Sequence, residues 1–152
     1  MNRKIIQLSA TFFNLGYLPL PGTAGSLAGL LIYFLIAANN LIYLIVLVLL
    51  LVLGFYTSGK SEEFFNQKDS RKIIIDEVCG MLLSLFLLPI SIPIIISAFL
   101  FFRAFDAIKP PPADRLQNLP GSIGIMLDDI TAGVYTNLII QLALRLTSAW
   151  GS

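Results

Sequence analysis

Two pairs of adjacent acidic residues carry the clearest chemical signal in this sequence. Asp76-Glu77 and Asp128-Asp129 each lie within an apolar run, and Asp106 is a single acid between them. A carboxylate at a helix N-terminus gains only about 0.3–1 kcal/mol from the helix dipole, whereas an acid deep in a membrane helix costs about 2.5–3.5 kcal/mol. Helix capping alone is therefore a poor explanation of the pairs. Converging carboxylates suit Mg²⁺, which prefers oxygen ligands and keeps waters that a phosphate can replace.

Basic residues next to Asp106 add the second half of a phosphate site. Arg103, Asp106 and Lys109 are spaced i, i+3 and i+6, which places them on one side of a helix end. A guanidinium binds phosphate oxygens in pairs, and an ammonium acts as a point charge. The alternative is structural: Arg103 neutralises Asp106 or reaches the membrane surface, and the acids only cap helices or pair with Arg103 and Lys109.

The segment 19–26 (PLPGTAGS) is a Gly- and Pro-rich loop that leads into an apolar run. Its free backbone N–H groups, together with the hydroxyls of Thr23 and Ser26, are typical of an anion site at a helix N-terminus. The segment lacks the Gly-Lys-Ser/Thr sequence of a nucleotide-binding loop.

Composition excludes several kinds of site. The chain has no histidine and one cysteine, which excludes Ser-His-Asp triads, phosphohistidine chemistry and histidine-ligated metals. Six positions after Cys79 the sequence has Leu85 instead of Arg, so the Cys-x₅-Arg pattern of cysteine phosphatases is absent. We expect Cys79 to pack as a small apolar residue. A formal net charge of +1 argues against a nucleic-acid partner.

Long uncharged stretches predict an integral membrane protein. No Asp, Glu, Lys or Arg occurs between Lys4 and Lys60 or between Glu77 and Arg103, and both gaps exceed the roughly 20 residues of a membrane helix. We predict an all-α, polytopic helical membrane bundle of about five helices, forming one domain over residues 1–152. The helices are placed at about 25–38, 41–56, 72–88, 92–106 and 125–145, after an amphipathic segment at 4–13. In this assignment Thr57-Ser58-Gly59 ends the second helix, and the acidic pairs open the third and the fifth.

The distribution of basic residues predicts an orientation. If successive helices alternate in direction, the N-terminus and the loops at 56–71 and 109–124 lie on one side, and the acids lie there too. Because basic loops remain in the cytoplasm, this side is predicted to be cytoplasmic. Only Arg145 lies at the other side, and nine of the ten Lys and Arg residues lie at or near the first: Arg3, Lys4, Lys60, Lys68, Arg71, Lys72, Arg103, Lys109 and Arg115.

Glycines lie one helical turn beyond each acidic pair. Gly80 follows Asp76 by four residues and Gly133 follows Asp129 by four, so each glycine shares a helix face with an acid. Small residues at such positions let membrane helices approach closely. We therefore expect the third and fifth helices to pack at these glycines.

Four separated segments together resemble the phosphatidylglycerophosphatase A family. They are 21–26 (PGTAGS), 76–81 (DEVCGM), 102–112 (FRAFDAIKPPP) and 124–133 (GIMLDDITAG), in the family's order over about residues 14–137. The chain departs from the family pattern at Pro111, where Trp is expected, and at Ser122, where a second Gly is common. Neither departure removes a charged group, so both concern substrate fit more than chemistry.

The resemblance implies a bacterial, Mg²⁺-dependent membrane phosphatase that converts phosphatidylglycerophosphate to phosphatidylglycerol. It implies a multi-pass protein of the cytoplasmic (inner) membrane, with its active site on the cytoplasmic side and a phospholipid as substrate. For metal binding and water activation it nominates Asp76, Glu77, Asp128 and Asp129, with Asp106 as a further metal ligand. For the phosphate it nominates Arg103 and Lys109, with Thr23 and Ser26 along the approach.

Two mechanistic questions stay open at this point, and so do two other function classes, a small transporter or ion-binding protein and a purely structural helical membrane protein. The general base is a carboxylate, Asp129 or Glu77, since no histidine is present, and either water or an aspartate is the nucleophile. A small transporter or ion-binding membrane protein would use the same acids, but it would place them near the middle of the bilayer.

Overall fold

The computed structural model describes residues 2–67 and 70–150. Within these ranges the chain is helical and contains no strand. A short 3₁₀ helix covers Leu15–Tyr17. The α-helices are α1 (Arg3–Ala10), α2 (Pro21–Ile36), α3 (Asn40–Phe65), α4 (Ile75–Leu85), α5 (Ile92–Ile108), α6 (Ala113–Leu116) and α7 (Gly121–Trp150). The all-α class and the N-terminal helical segment are thereby confirmed.

The short helix α4 lies at the centre of the fold. It contacts α2, α3, α5 and α7, and nine of its 11 residues are buried. Its C-terminal carbonyls are held by side chains from other helices: Tyr43 donates to the Leu82 carbonyl at 2.6 Å, and Asn137 donates to the Phe86 carbonyl at 2.8 Å. These bonds satisfy backbone groups that a helix end leaves without partners. The acids in the first turn of α4 therefore belong to a helix that is held on several sides by its neighbours.

Glycines set the distance between α4 and its neighbours. A Cβ atom on Gly133 would lie 2.6 Å from the carbonyl oxygen of Gly80, and one on Gly80 would lie 2.8 Å from the carbonyl oxygen of Asp129. On the other side of α4, a Cβ on Gly29 would lie 3.0 Å from the Val78 carbonyl oxygen. The predicted close packing at Gly80 and Gly133 is confirmed.

Two predicted helix boundaries are wrong. Helix α3 continues through Thr57-Ser58-Gly59 and ends at Phe65, before Asn66 in the left-handed conformation. The Thr57 hydroxyl donates to the Leu53 carbonyl at 2.7 Å, and a Cβ on Gly59 would meet the Ser122 nitrogen at 2.8 Å. The small residues therefore permit contact between α3 and α7 rather than breaking the helix.

The start of the last helix is the second correction. Helix α7 begins at Gly121, so Asp128 and Asp129 lie about two turns inside it rather than at its N-terminus. Within α7 the two carboxyls line the cavity described below instead of capping the helix.

Two of the helices, Asn40–Phe65 and Gly121–Thr147, are long and apolar enough to cross a membrane, and α2 is a shorter apolar helix. A five-helix multi-pass arrangement stays a prediction. At one end of the bundle Arg3 donates to the Phe64 carbonyl at 3.3 Å, and Asn39 caps the opposite end of α3. The two sides of a membrane likewise stay a prediction. Lys68, which was counted with the first side, lies outside the described residues.

Candidate active site

One open cavity of about 370 Å³ collects most of the predicted site residues. It lies where α2 and α4 begin and where α5 ends, beside the first third of α7. Of the nine predicted residues, eight line it: Thr23, Asp76, Glu77, Arg103, Asp106, Lys109, Asp128 and Asp129.

Three of the acids converge within the cavity. One carboxylate oxygen each from Asp76, Glu77 and Asp129 lies within 4.8 Å of the other two. Asp76 and Asp129 are buried, with 7% and 3% of their surface exposed, and Glu77 is half-buried. Asp76 and Glu77 come from the first turn of α4, and Asp129 comes from α7 one turn before Gly133. The glycine contact between α4 and α7 brings the three carboxyls together.

These carboxyls are close together and largely buried, so their negative charges would repel one another in the absence of a cation. Oδ1 of Asp76 and Oε2 of Glu77 are buried without a hydrogen-bond partner among the described residues. Hard carboxylate oxygens without partners, at this spacing, fit a divalent cation such as Mg²⁺.

The other two acids of the cavity are paired with basic side chains of the protein. Asp106 accepts a hydrogen bond from Nη1 of Arg103 at 2.7 Å. Asp128 binds Nζ of Lys109 through Oδ2 and accepts the backbone N–H of Asp129 through Oδ1, at 3.0 Å in the latter case. For these acids the structural alternative, pairing with Arg103 and Lys109, is observed.

Lys109 is placed by its backbone as well as by its partner. It directly follows the last residue of α5 and has the left-handed conformation, with φ of 49°. Residues other than Gly, Asn and Asp seldom adopt this conformation. Burial by itself lowers the pKa of Lys109, but the bond to Asp128 and the charges of Asp129 and Asp106 more than offset this, so the pKa is raised. Lys109 therefore carries its charge into the cavity at neutral pH.

The N-terminus of α2 forms another wall of the cavity. Leu20, Pro21, Gly22 and Thr23 line it, and no side chain in the described part of the chain caps the helix. A Cβ on Gly22 would lie 3.0 Å from Nη2 of Arg103 and 3.0 Å from Oε1 of Glu77, so the backbone of this turn lies close to the ends of both side chains. Exposed N–H groups at a helix start favour an anion.

Ser26 is not among the residues that line the cavity. It is fully buried, and its hydroxyl donates to the carbonyl of Gly22 at 3.0 Å. It bonds to the backbone of the first turn of α2 and does not face the cavity.

Some lining residues were not identified from the sequence, namely Ser70, Arg71 and Ile73, which precede α4. In the sequence, Arg71 lies five residues before Asp76, and it contributes there only to the predicted orientation in the membrane. Spacing could not place it in the site, because an irregular segment separates it from the helix.

Comparison with known proteins identifies the family. The family model described as phosphatidylglycerophosphatase A matches residues 8–144. The chain belongs to the phosphatidylglycerophosphatase A family. This confirms the predicted resemblance, and it confirms the prediction of an enzyme, a phosphatase, over that of a transporter.

Relatives of the phosphatidylglycerophosphatase A family cover most of the chain. It is 34% identical to phosphatidylglycerophosphatase A of Haemophilus influenzae, over 89% of this chain and 86% of the relative. It is 35% identical to phosphatidylglycerophosphatase A of Escherichia coli K12, over 84% of this chain and 77% of the relative. A Bacteroides thetaiotaomicron protein, provisionally named a phosphatidylinositol-3-phosphatase, is 34% identical over 90% of this chain and 91% of the relative. No solved structure matches the chain.

Proposed function

We propose that this protein hydrolyses the terminal phosphomonoester of phosphatidylglycerophosphate, giving phosphatidylglycerol and inorganic phosphate. The observation that carries the proposal is the cavity itself, which is lined by three converging carboxyls together with Arg103 and Lys109. This combination serves a phosphate with a divalent cation. The names of the Haemophilus and Escherichia relatives supply the lipid.

Asp76, Glu77 and Asp129 would hold Mg²⁺. When bound, this ion would supply positive charge to the phosphoryl oxygens and would orient a water molecule. The same three groups, buried and close together, would otherwise repel one another or hold protons. This assignment narrows the predicted ligand set, since Asp106 and Asp128 are each bonded to a cation of the protein.

Arg103 and Lys109 would bind the oxygens of the phosphomonoester, and Asp106 and Asp128 would orient them. The backbone N–H groups at the start of α2, with the Thr23 hydroxyl, would complete the phosphate site. A carboxylate of the cluster, Glu77 or Asp129, would accept a proton from the attacking water. The water oxygen forms the new P–O bond, the ester P–O bond breaks, and the released alcohol oxygen takes up a proton.

We further propose that the cavity opens to the cytoplasmic face of the bacterial inner membrane. Its walls belong to the end of the bundle that carries Arg3, Lys60, Lys72 and Arg115 in the described part of the chain. The positive-inside rule assigns such an end to the cytoplasm.

The direct test measures phosphate release by the purified protein in detergent micelles. The substrates are phosphatidylglycerophosphate, phosphatidylinositol 3-phosphate and phosphatidic acid, each with Mg²⁺ and with a chelator. We expect Mg²⁺-dependent release that is fastest from phosphatidylglycerophosphate. Faster release from the inositol lipid would replace the substrate but keep the site. No release from any lipid by folded protein would refute the proposed function.

A further inference from the structure

An apolar groove of about 230 Å³ lies between the first half of α5 and the last half of α7. Ile94, Ser97 and Phe101 are among the α5 residues that line it, and Ala143 and Thr147 are among those from α7. The groove lies away from the cavity, and the proposed chemistry does not use it.

The groove and the phosphate site are connected along both helices. On α5, Phe101 and Phe105 are four residues apart and lie on one face, and Lys109 directly follows the last residue of the helix. On α7, Asp128 is followed on its face by residues 135, 139 and 143. The ion pair between Lys109 and Asp128 joins these faces at the cavity.

Aromatic rings of α5 and α7 connect the groove with the cavity. Phe101, which lines the groove, stacks on Phe105 at 6.2 Å between ring centroids. Phe105 meets Tyr135 of α7 edge-on at 6.1 Å, and the Tyr135 hydroxyl donates to the Pro111 carbonyl at 2.6 Å. An apolar surface therefore leads from the groove to the loop that follows Lys109.

The distance along α5 from the groove to Lys109 matches the length of one lipid molecule. Ile94 and Lys109 are 15 residues apart on α5, which corresponds to about 22 Å along a helix. A bilayer of about 40–45 Å, headgroups included, has a half-thickness of about 20–22 Å. A phospholipid whose headgroup phosphate lies at Lys109 would have its acyl chains beside the groove.

The chemistry of the walls favours a hydrocarbon over a peptide. The lining residues include no charged side chain, and Ser97 and Thr147 are the polar ones. The Thr147 hydroxyl already donates within its own helix, to the carbonyls of Ala143 at 3.1 Å and Leu144 at 3.0 Å. A peptide segment would need partners for its backbone N–H and C=O groups, whereas an acyl chain needs none.

From these observations we infer that the α5–α7 groove is an acyl-chain subsite for the phospholipid substrate. The inference rests on the proposed function, because it assigns one chain of the same lipid to the groove while the phosphate occupies the cavity.

The test fills the groove and compares substrates of different chain length. Ala143→Trp places an indole in the groove, and Leu142→Trp, at the adjacent exposed position that does not line it, is the matched control. The value of kcat/KM is measured on dihexanoyl and dipalmitoyl phosphatidylglycerophosphate at a fixed mole fraction in micelles. We expect Ala143→Trp to lower kcat/KM for the dipalmitoyl lipid about tenfold, the effect of about two methylene groups losing contact. The dihexanoyl value should stay unchanged, and the control should leave both values unchanged.

A second measurement does not depend on a variant. A phosphatidylglycerophosphate with a photoreactive diazirine near the end of one acyl chain is cross-linked to the unmodified protein, with and without excess unlabelled lipid. We expect displaceable labelling within residues 94–101 and 139–147. Labelling spread over all exposed helix faces would overturn the inference.

The outcomes separate the two proposals. An unmodified protein that releases no phosphate from either lipid refutes the proposed function itself. An active protein in which Ala143→Trp and Leu142→Trp behave alike, or in which Ala143→Trp slows both substrates equally, refutes the acyl-chain subsite and leaves the phosphatase assignment intact.

Discussion

The backbone of Gly133 in α7 packs directly on the backbone of Gly80 in α4. A Cβ atom on Gly133 would lie only 2.6 Å from the Gly80 carbonyl oxygen. Asp76 and Asp129 lie one turn before these two glycines, on the same helix faces. The contact therefore fixes how closely the acids of α4 approach the acid of α7.

Adding a methyl group at this contact should harm both stability and activity. Gly133→Ala forces α7 away from a backbone carbonyl, which cannot move aside as a side chain can, and overpacking of this kind costs about 1–3 kcal/mol. We expect a lower thermal midpoint in detergent and lower phosphatase activity. Val134→Ile, at the next and exposed position, is the control and should change neither. A Gly133→Ala protein with unchanged midpoint and activity would contradict the close packing.

Removing one carboxylate of the cluster should abolish catalysis without destabilising the fold. Asp129→Asn deletes a metal ligand, so we expect kcat to fall by more than the 10–100-fold typical of groups that only support a ligand. Without Mg²⁺ the thermal midpoint should stay equal or rise, because the change relieves crowding among buried acids. The stabilisation of the unmodified protein by added Mg²⁺ should disappear.

Asp114→Asn is the control for this prediction. Asp114 lies in α6, outside the residues that line the cavity, so its variant should keep both activity and Mg²⁺ stabilisation. If Asp129→Asn still gains stability from Mg²⁺ as the unmodified protein does, Asp129 is not a ligand.

Lys109 and Asp128 should act as one unit. We expect Lys109→Met and Asp128→Asn each to lower kcat/KM by about 10–100-fold, and the double variant to lose little more than either single variant. The reason is that Asp128 orients Lys109, so once one is gone the other has little left to contribute. A double-mutant cycle on kcat/KM measures the coupling. Additive losses would show that Asp128 acts separately from Lys109, for example as a metal ligand.

Arg71 should distinguish lipids by their headgroup. It is exposed and lines the cavity, where it can meet the phosphodiester that phosphatidylglycerophosphate carries in addition to its terminal phosphate. Arg71→Ala should lower kcat/KM for that lipid about tenfold, the effect of one charge-assisted hydrogen bond, and leave phosphatidic acid hydrolysis unchanged.

Lys72→Ala removes the same charge from the neighbouring residue, which lies over the rings of Tyr17 and Phe65 and does not line the cavity. This control should leave the ratio of the two lipids unaltered. Equal effects of both variants would indicate general attraction of anionic lipid rather than a contact of Arg71.

Cysteine labelling can test the orientation in the membrane, because the unmodified protein should contribute little labelling of its own. The single cysteine, Cys79, is fully buried and should not react. A cysteine at the exposed Asn40 should react with an impermeant maleimide in spheroplasts, and one at the exposed Gln67 should react only after the membrane is opened. The reverse pattern would place the cavity on the outer face.

Much of this protein was determined by local sequence. The charge-free stretches predicted the helices, and the absence of histidine excluded histidine-based sites, because both depend only on residue type. The four ordered motifs identified the family. The spacing of Arg103, Asp106 and Lys109 correctly placed all three at one cavity, since positions along one helix end are fixed by helical periodicity.

Tertiary structure alone decided which partners the acids have. Asp76, Glu77 and Asp129 converge, whereas Asp106 pairs with Arg103 and Asp128 with Lys109. This depends on the distance at which α4, α5 and α7 pack. Local signals also misplaced the end of α3 and the start of α7. Thr57-Ser58-Gly59 and Asp128-Asp129 are typical of helix ends in sequence, whereas in the structure Gly59 contacts Ser122 of α7 and Asp128 pairs with Lys109. A residue's chemistry can be read from its type, but its partners are set by contacts between segments that are far apart in the chain.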